Sequence, residues 1–155
     1  MDVQIIDMPD DRVLQQLVAS TCVEVWQRDF PLDTDEWYLN LYSESQSHGV
    51  LPFVLVALDD GEFVGTASLI ADDELPDAVE PGPWVAAVYV ADSHRRRGIG
   101  TMLLNELKHR AVHSGHRQLF LYTEDKMTWY ESMGWQCLRT TQLSGHDVTV
   151  MSCNI

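Results

Sequence analysis

Apolar positions at the start of the chain change from strand spacing to helical spacing within a few residues. Residues 3–8 form a short apolar run that ends at Pro9, which predicts a first strand. Apolar side chains then recur at helical intervals over residues 13–26, and Asp10 and Asp11 precede them as capping residues. The pattern therefore predicts a strand followed by an amphipathic helix.

A second helix and a hairpin are predicted next. Asp33 and Glu36 have the spacing of a capping box, so a helix should begin there, and Gly49 should end it. Residues 52–58 and 62–70 are dense in Val, Leu, Ile and Phe, and the Asp-Asp-Gly between them is a strong turn sequence. These two segments are expected to pair as an antiparallel hairpin.

The middle of the chain has the pattern of a strand–helix–strand unit. Residues 71–83 are acidic and contain proline, which predicts a loop, whereas residues 84–90 are apolar throughout, as in a strand buried on both faces. Residues 98–113 have helical spacing, and residues 117–123 form another strand pattern. We expect a right-handed parallel crossover between these two strands.

The remaining residues complete a mixed α/β domain. A short helix is expected over residues 126–133, and two strands over residues 135–143 and 148–155 should close the sheet. The predicted order is β-α-α-β-β-β-α-β-α-β-β in a single domain, 1–155, because no linker or repeat interrupts the pattern. No apolar run approaches the length of about 18 residues that a membrane-spanning helix needs. Nor do the first residues resemble a signal peptide.

The charge of the chain is strongly negative and unevenly distributed. The net charge is −14, with 10 basic and 24 acidic residues, which argues against a nucleic-acid-binding protein. Residues 1–90 contain only two basic residues, Arg12 and Arg28, whereas most of the basic residues follow residue 90. This division suggests an anionic ligand at the second half and a cationic ligand at the first, but on charge alone we favour the simpler explanation, an acidic surface that merely confers solubility.

Cysteine and histidine positions give no strong indication of a disulfide or metal site. The three cysteines, Cys22, Cys137 and Cys153, are too scattered for a disulfide framework, so we expect reduced thiols in a cytoplasmic protein. His109 and His113 lie four residues apart on a predicted helix, so they could bind a metal ion on one face of it. Alternatively, they are polar residues of the solvent-exposed face. We favour the exposed face and predict no metal.

The most informative motif lies between the apolar strand and the helix that follows it. Three consecutive arginines, residues 95–97, precede Gly98 and Gly100, and the first N–H groups of the helix lack intrahelical partners. Such donors, together with the positive end of the helix and the arginines, suit a diphosphate. Leu103 stands where a dinucleotide-binding motif has its third glycine, and the Gly-Lys-Ser/Thr of a Walker loop is absent.

This motif resembles the acetyl-coenzyme A pyrophosphate motif, Arg-x-x-Gly-x-Gly, of the GNAT superfamily of N-acetyltransferases. Residues 129–135, WYESMGW, are similar to a second signature of that superfamily, aromatic-Tyr-x-x-x-Gly-aromatic. The predicted element order also agrees with the family fold. The resemblance implies direct transfer of an acetyl group from acetyl-CoA to an amine, without an acyl-enzyme.

The resemblance also implies which residues bind the coenzyme. The strand before the motif should carry a bulge, pair with the pantetheine arm and direct an N–H at the thioester carbonyl. Arg95 and Arg96, with the amides of residues 97–101, should hold the pyrophosphate. The Arg97 side chain either reaches the 3′-phosphate or faces solvent. The implied set is Val88, Tyr89, Val90, Arg95, Arg96, Arg97, Gly98, Ile99, Gly100, Thr101, Thr123 and Tyr130.

Two members of this set need separate comment. Tyr130 matches the family tyrosine near the coenzyme sulfur, and its phenol, with a pKa of about 10, could protonate a thiolate across a gap of about 2 kcal/mol. The alternative is that Tyr130 is a buried packing residue. Thr123 stands where many family members have Asn to hold the pantetheine, so we expect that contact with altered geometry.

The acceptor amine must lose a proton before it attacks, and the resemblance gives no fixed position for the base. Acidic residues of the predicted loop are the candidates, and Glu74 and Asp73 are favoured because they follow the end of a strand; a chain of water molecules is the alternative. Four aromatic residues on the first two helices are expected mostly in the core, with one or two beside a cationic substrate. They are Trp26, Trp37, Tyr38 and Tyr42.

The sequence thus predicts an acetyl-CoA-dependent N-acetyltransferase, monomeric or homodimeric, that acts on a cationic amine and uses neither nucleic acid nor a membrane as partner. A coenzyme A-binding regulatory module without catalysis is the main alternative. A protein that binds a nucleotide diphosphate is a third hypothesis, which the missing glycine and lysine disfavour.

Overall fold

The computed structural model describes residues 2–31, 33–47 and 49–155. Its strands are β1 (Val3–Asp7), β2 (Phe53–Asp59), β3 (Glu62–Ile70), β4 (Trp84–Val90), β5 (Gln118–Thr123), β6 (Gln136–Leu143) and β7 (His146–Asn154). Its helices are α1 (Arg12–Trp26), α2 (Asp35–Glu44), α3 (Ile99–His113) and α4 (Met127–Ser132), and a single 3₁₀ turn covers Asp92–His94. None of these helices combines the length and the apolar character that crossing a bilayer requires.

The strands form one sheet in the order β1-β2-β3-β4-β5-β7-β6, and every neighbouring pair is antiparallel except β4 and β5, which are parallel. This mixed α/β arrangement confirms the predicted fold class and element order. Side chains alternate across each strand, so Leu55 packs with Leu103 of α3, whereas Val56 packs with Val18 of α1 and Tyr42 of α2. The sheet therefore separates two apolar layers.

Several predicted element ends are wrong by a few residues. Asp11 caps α1 as predicted, since its carboxylate accepts from the first-turn amides. The cap of α2 is Thr34 rather than Asp33, and α2 ends at Glu44 rather than at Gly49. Thr34 takes that role because its hydroxyl reaches an amide three residues ahead, which leaves Asp33 free for a different contact.

The burial predicted for β4 is correct only for its first two residues. Trp84 and Val85 are buried, but the remaining five residues are half-buried. The reason is a bulge: Ala87 has a left-handed backbone (φ 53°), and the register with β3 shifts between Thr66 and Ser68. Beyond the bulge β4 moves away from β5, and the two strands pair only between Trp84 and Phe120. A gap therefore opens in the middle of the sheet.

Candidate functional site

The gap between β4 and β5 leads into a cavity of about 630 Å³ that extends beneath the connection from α1 to α2. One side is formed by the ends of β4 and β5 with the start of α4, and the other by the α1–α2 connection and the β3–β4 loop. Parallel strands leave such a crevice at their carboxyl ends where they diverge. The cavity is the candidate functional site.

Residues that the sequence analysis proposed from distant parts of the chain meet in this cavity. Among its lining residues are seven of the predicted set: Val88, Tyr89, Arg95, Thr123, Tyr130, Asp73 and Glu74. The other seven do not line it: Val90, Arg96, Arg97, Gly98, Ile99, Gly100 and Thr101. These seven lie at the end of β4 and at the start of α3, directly after the lining part of β4.

The turn from β4 to α3 holds the arginines at the edge of the cavity. The Arg95 Nε donates to the carbonyl of Val90 (3.1 Å), and its guanidinium pairs with Asp92 (2.8 Å), so this side chain is fixed across the end of the strand. Arg96 has a left-handed backbone (φ 63°), and Gly98, the cap of α3, has φ 80°. Gly98 is favoured by its left-handed backbone and not by lack of space, because an added Cβ would contact nothing within 4 Å.

Gly100 is required for a reason that the sequence did not reveal. A Cβ at this position would lie 2.9 Å from the ring of Trp129, so the glycine lets α3 pack closely against α4. Gly100 therefore has a packing role in addition to the coenzyme-binding role that the resemblance implies. Trp129 precedes Tyr130 on α4, which means that Gly100 also determines where that tyrosine sits.

We predict that Gly100→Ala lowers the melting temperature because the Trp129 ring must move to accommodate the new methyl group. Overpacking of this kind costs about 1–3 kcal/mol, or about 2–4 °C in Tm for each kcal/mol. Differential scanning calorimetry would measure the loss. Gly61→Ala is a contrasting control, since its cost comes only from a left-handed turn (φ 82°) with no neighbour within 4 Å. An unchanged Tm in Gly100→Ala would contradict the packing role.

Tyr130 is buried beneath the cavity with its hydroxyl unpaired. Its side chain is 7% exposed and lies between the rings of Trp129 (4.9 Å) and Trp135 (5.8 Å). Within the described residues we find no hydrogen-bond partner for the hydroxyl, and burial alone raises the pKa of the phenol above its ordinary value. The phenol thus remains protonated, and it is a weaker acid than the unperturbed value of about 10 used in the sequence analysis implies.

Thr123 and the residues after it hold the turn that leads into α4. The Thr123 hydroxyl accepts a hydrogen bond from the Lys126 amide (3.1 Å), which fixes this turn. Glu124 does not cap α4, whose first flanking residue is Lys126; the Glu124 carboxylate pairs instead with His146 (3.0 Å). His146 also lies 3.7 Å from Asp29, so it connects two sides of the cavity mouth.

Carboxylates and aromatic donors form the wall opposite Tyr130. The hydroxyl of Tyr38 donates to Asp33 (2.7 Å), the indole of Trp37 donates to Glu74 (3.3 Å), and the hydroxyl of Tyr122 donates to the carbonyl oxygen of Asp73 (3.3 Å). We call Asp33, Asp73 and Glu74 the acidic wall.

The carboxylates of the acidic wall affect one another's protonation. Burial raises the pKa of Asp73 well above its ordinary value, and the charges of Asp33 and Glu74 add to that effect, although the Tyr122 hydroxyl opposes it. Burial also raises the pKa of Asp33, and Glu74 contributes, while the bond from Tyr38 acts in the opposite direction. Of the two predicted bases, Asp73 is therefore the one whose environment raises the carboxyl pKa and favours uptake of a proton.

The other acidic residues of the β3–β4 loop have structural contacts. The Asp72 carboxylate accepts a hydrogen bond from the amide of Glu74 (2.8 Å), and Glu74 has a left-handed backbone (φ 59°). This bond shapes the turn of the loop. Asp77 and Glu80 both bind Arg139 of β6, away from the cavity. These three acids are thus removed from the candidates for the base.

Several residues that line the cavity were not identified from the sequence, and of the four aromatic residues on the first two helices only some line it. Trp26, Trp37 and Tyr38 line the cavity, whereas Tyr42 is buried in the core. Asp29, Phe30 and Tyr122 also line it and were not identified. For Tyr122 a signal existed, because alternation along β5 places it on the same face as Phe120, towards α1 and α2.

The histidine pair on α3 forms no larger cluster. His109 and His113 approach to 3.1 Å between their Nε2 atoms. In the parts of the chain that the structure describes, no group of three or more metal-ligating side chains occurs.

Comparison with known proteins gives a family match and many similar structures. The model of a family described as the acetyltransferase (GNAT) family matches residues 12–135. The comparison with curated proteins finds no match.

Three of the similar solved structures are described as complexes with coenzyme A. An aminoglycoside 6′-N-acetyltransferase superposes with a TM-score of 0.75 at 17% identity, covering 99% of this chain and 97% of that one. The PaiA N-acetyltransferase from Thermoplasma acidophilum has a TM-score of 0.75 at 18% identity, with 100% of both chains covered. N-acetylglutamate synthase from Neisseria gonorrhoeae has a TM-score of 0.74 at 16% identity, covering 99% of this chain and 35% of that one. Likeness at these identities shows the fold.

Proposed function

The chain belongs to the acetyltransferase (GNAT) family, and on that premise we propose that it transfers an acetyl group from acetyl-CoA to a primary amine of a cationic small molecule or peptide. One observation carries the proposal. The cavity between β4 and β5 is lined both by a buried phenol, Tyr130, and by a carboxylate of raised pKa, Asp73. A group-transfer site with one proton donor and one proton acceptor has this composition.

The residues around the β4–β5 gap suit acetyl-CoA, which supplies the acetyl group as a thioester. After the bulge at Ala87, backbone groups of β4 lack a partner on β5 and are available to a pantetheine amide. Arg95 and the start of α3 offer charge and N–H groups to a pyrophosphate. Two of the similar structures hold coenzyme A with the same fold.

Tyr130 is proposed to protonate the sulfur that leaves. Among the described residues its hydroxyl has no hydrogen-bond partner to give up, and the side chain is buried, where a hydrogen bond to a developing negative charge is strong. The raised pKa keeps the phenol protonated at neutral pH, so it can donate a hydrogen bond to the thiolate as it forms, although complete transfer of the proton is more uphill than from an unperturbed phenol. This is the role of a general acid.

Asp73 is proposed to take the proton of the acceptor ammonium. A raised carboxyl pKa reduces the gap to an ammonium, whose ordinary pKa is about 10. Glu74 is the weaker candidate because it is exposed and already accepts from the Trp37 indole. We assign Glu74 to the positioning of that indole and to the attraction of the acceptor.

The charge of the cavity supports a cationic acceptor. Its lining contains six acidic residues and two basic ones, and the basic pair lies on the side proposed for the coenzyme. The acidic residues are Asp29, Asp33, Asp73, Glu74, Glu124 and Asp125. Trp26 and Trp37 provide aromatic faces to the same space, which favours ammonium groups. A cytoplasmic location remains part of the proposal.

The test is incubation of the protein with acetyl-CoA and a panel of cationic, neutral and anionic amines, following thiol release. We expect release with the cationic amines. Raising the ionic strength should lower kcat/KM for them more than kcat, because the Debye length falls from about 10 Å at 0.1 M to about 3 Å at 1 M.

Three other outcomes would contradict the proposal at different points. Coenzyme binding without thiol release for any amine would favour a non-catalytic coenzyme A-binding module. Preference for a neutral or anionic amine would contradict the proposal of a cationic acceptor but not the proposal of an acetyltransferase. A kcat/KM that does not change with salt would have the same consequence.

A further inference from the structure

One wall of the cavity is carried by a loop whose outer half contacts a distant strand. Within the β3–β4 loop, Asp73, Glu74 and Pro76 line the cavity. Leu75 is buried at 5% exposure and Pro83 is buried at the far end of the loop, whereas Val79 between them is 84% exposed. Between Leu75 and Pro83 the loop is held to β6 by charged contacts.

Those contacts form a compact network that we call the Arg139 clasp: Arg139 and Thr141 of β6 with Asp77 and Glu80 of the loop. The Arg139 guanidinium binds Glu80 in a fork, Nε to Oε2 at 3.0 Å and Nη2 to Oε1 at 2.8 Å. Its Nη1 donates to Asp77 (3.1 Å), and the Thr141 hydroxyl donates to the same carboxylate oxygen (2.6 Å). The side chain of Glu80 is only 7% exposed, so this is a well-defined geometry and not a loose surface pair.

A bulge in β6 directs the clasp to the face of the sheet on which the cavity lies. Cys137 pairs with Met151 but Arg139 pairs with Val150, so Leu138 is the extra residue. From Arg139 onward, alternate residues share one face, and Leu143, four positions later, lines the cavity. The clasp and the cavity are thus connected through one rigid strand.

We propose that Arg139 is a positioning residue for the acceptor side of the site: by holding the β3–β4 loop against β6, it keeps Asp73 in the acidic wall. The inference rests on the proposed function. Arg139 itself does not line the cavity, and the clasp contacts none of the residues assigned to the coenzyme. Its loss should therefore affect the acceptor and leave the coenzyme unaffected.

The protonation of Asp73 gives a readout specific to this role. Burial raises the pKa of Asp73, and the charges of Asp33 and Glu74 raise it further. When the loop is released, water reaches the carboxylate and separates it from these charges, so its pKa falls. The acid limb of the pH dependence of kcat/KM then moves to lower pH.

The experiment compares wild type with Arg139→Met and Arg139→Lys in the acetylation assay, using the best amine of the panel. For Arg139→Met we expect kcat to fall about 10-fold or more and KM for the amine to rise, because displaced catalytic groups lose rate steeply. KM for acetyl-CoA should stay unchanged, and the acid limb should move to lower pH. Arg139→Lys keeps the charge without the fork and should recover part of the loss.

Arg110→Met is the matched control. Arg110 also binds two carboxylates, Asp7 and Glu106, at nearly the same side-chain exposure (29% against 27% for Arg139), but it lies away from the cavity. We expect this variant to lose thermal stability and to keep wild-type kinetics and pH dependence. The comparison separates positioning from stability alone.

Two further variants keep the test decisive if Arg139→Met folds poorly with Glu80 left unpaired. Arg139→Met/Glu80→Gln removes both charges, and Thr141→Val removes only the bond to Asp77; both should shift the acceptor constants in the same direction. Unchanged kinetics in folded variants would overturn the inference, and so would equal changes for amine and acetyl-CoA. Absence of any wild-type acetylation would instead contradict the proposed function.

Discussion

Tyr130→Phe is expected to lower kcat about 100-fold or more, while the affinity for acetyl-CoA changes little. The variant removes one oxygen atom and hence the proposed proton donor, and general acid catalysis typically contributes 10²–10⁴-fold. The melting temperature should not fall, because the hydroxyl has no hydrogen-bond partner in the described part of the chain and the ring contacts with Trp129 and Trp135 remain. Steady-state kinetics, calorimetric titration of the coenzyme and thermal melting measure the three quantities.

Tyr42→Phe is the matched control for this substitution. Tyr42 is also a buried tyrosine, at 1% exposure, but it lies in the core between α1 and α2 and not in the cavity. We expect it to keep wild-type kcat. Wild-type turnover in Tyr130→Phe, with acetyl transfer shown to be the slow step, would make Tyr130 a packing residue.

Asp73→Asn is expected to reduce kcat/KM for the amine about 100-fold or more and to raise the melting temperature. The amide cannot accept a proton, so the acid limb that Asp73 gives to the pH dependence should disappear. In the folded state burial raises the pKa of Asp73 above its ordinary value of 3.8, so the folded state binds more protons there than the unfolded chain. The free energy of unfolding therefore falls as pH rises from that value to the raised one. Asparagine removes this cost, and the gain in Tm should be full above the raised pKa of Asp73 and absent at low pH.

Asp60→Asn provides the control for the charge change. Asp60 is exposed in the β2–β3 turn, where its left-handed backbone (φ 50°) is tolerated by asparagine. Asp60→Asn should change kcat/KM for the amine and the pH dependence of Tm much less than Asp73→Asn does. A variant Asp73→Asn with wild-type kcat/KM across the pH range would exclude Asp73 as the base, and Glu74→Gln would then be the next variant to measure.

Much of the fold and part of the candidate site were predictable because local patterns determine them. Alternation and helical spacing gave the element order, since apolar faces must be buried whatever the tertiary context. Arg95 and Tyr130 were identified from two motifs, each local in sequence. Several residues in or near these motifs line the cavity, so local patterns indicated part of its lining.

The acceptor side was less predictable because it forms by contact between segments far apart in the chain. Asp33 has the spacing of a helix cap, and only the structure shows that its carboxylate accepts from Tyr38 inside the cavity. Glu80 belongs to the acidic loop from which a base is expected, and only the structure shows its fork with Arg139, 59 residues away. Neither contact leaves a periodic or local signal.

The sequence by itself determined the element order, the arginine–glycine turn and the charge division between the two halves, because each follows from neighbouring residues. The tertiary structure decided which loop carboxylate is buried, why Gly100 has no side chain and which contacts hold the acidic wall. These depend on distances between Asp73 and Asp33, Gly100 and Trp129, or Arg139 and Asp77. The physical reason is that burial and charge–charge interaction act through space, and only the folded chain brings these groups together.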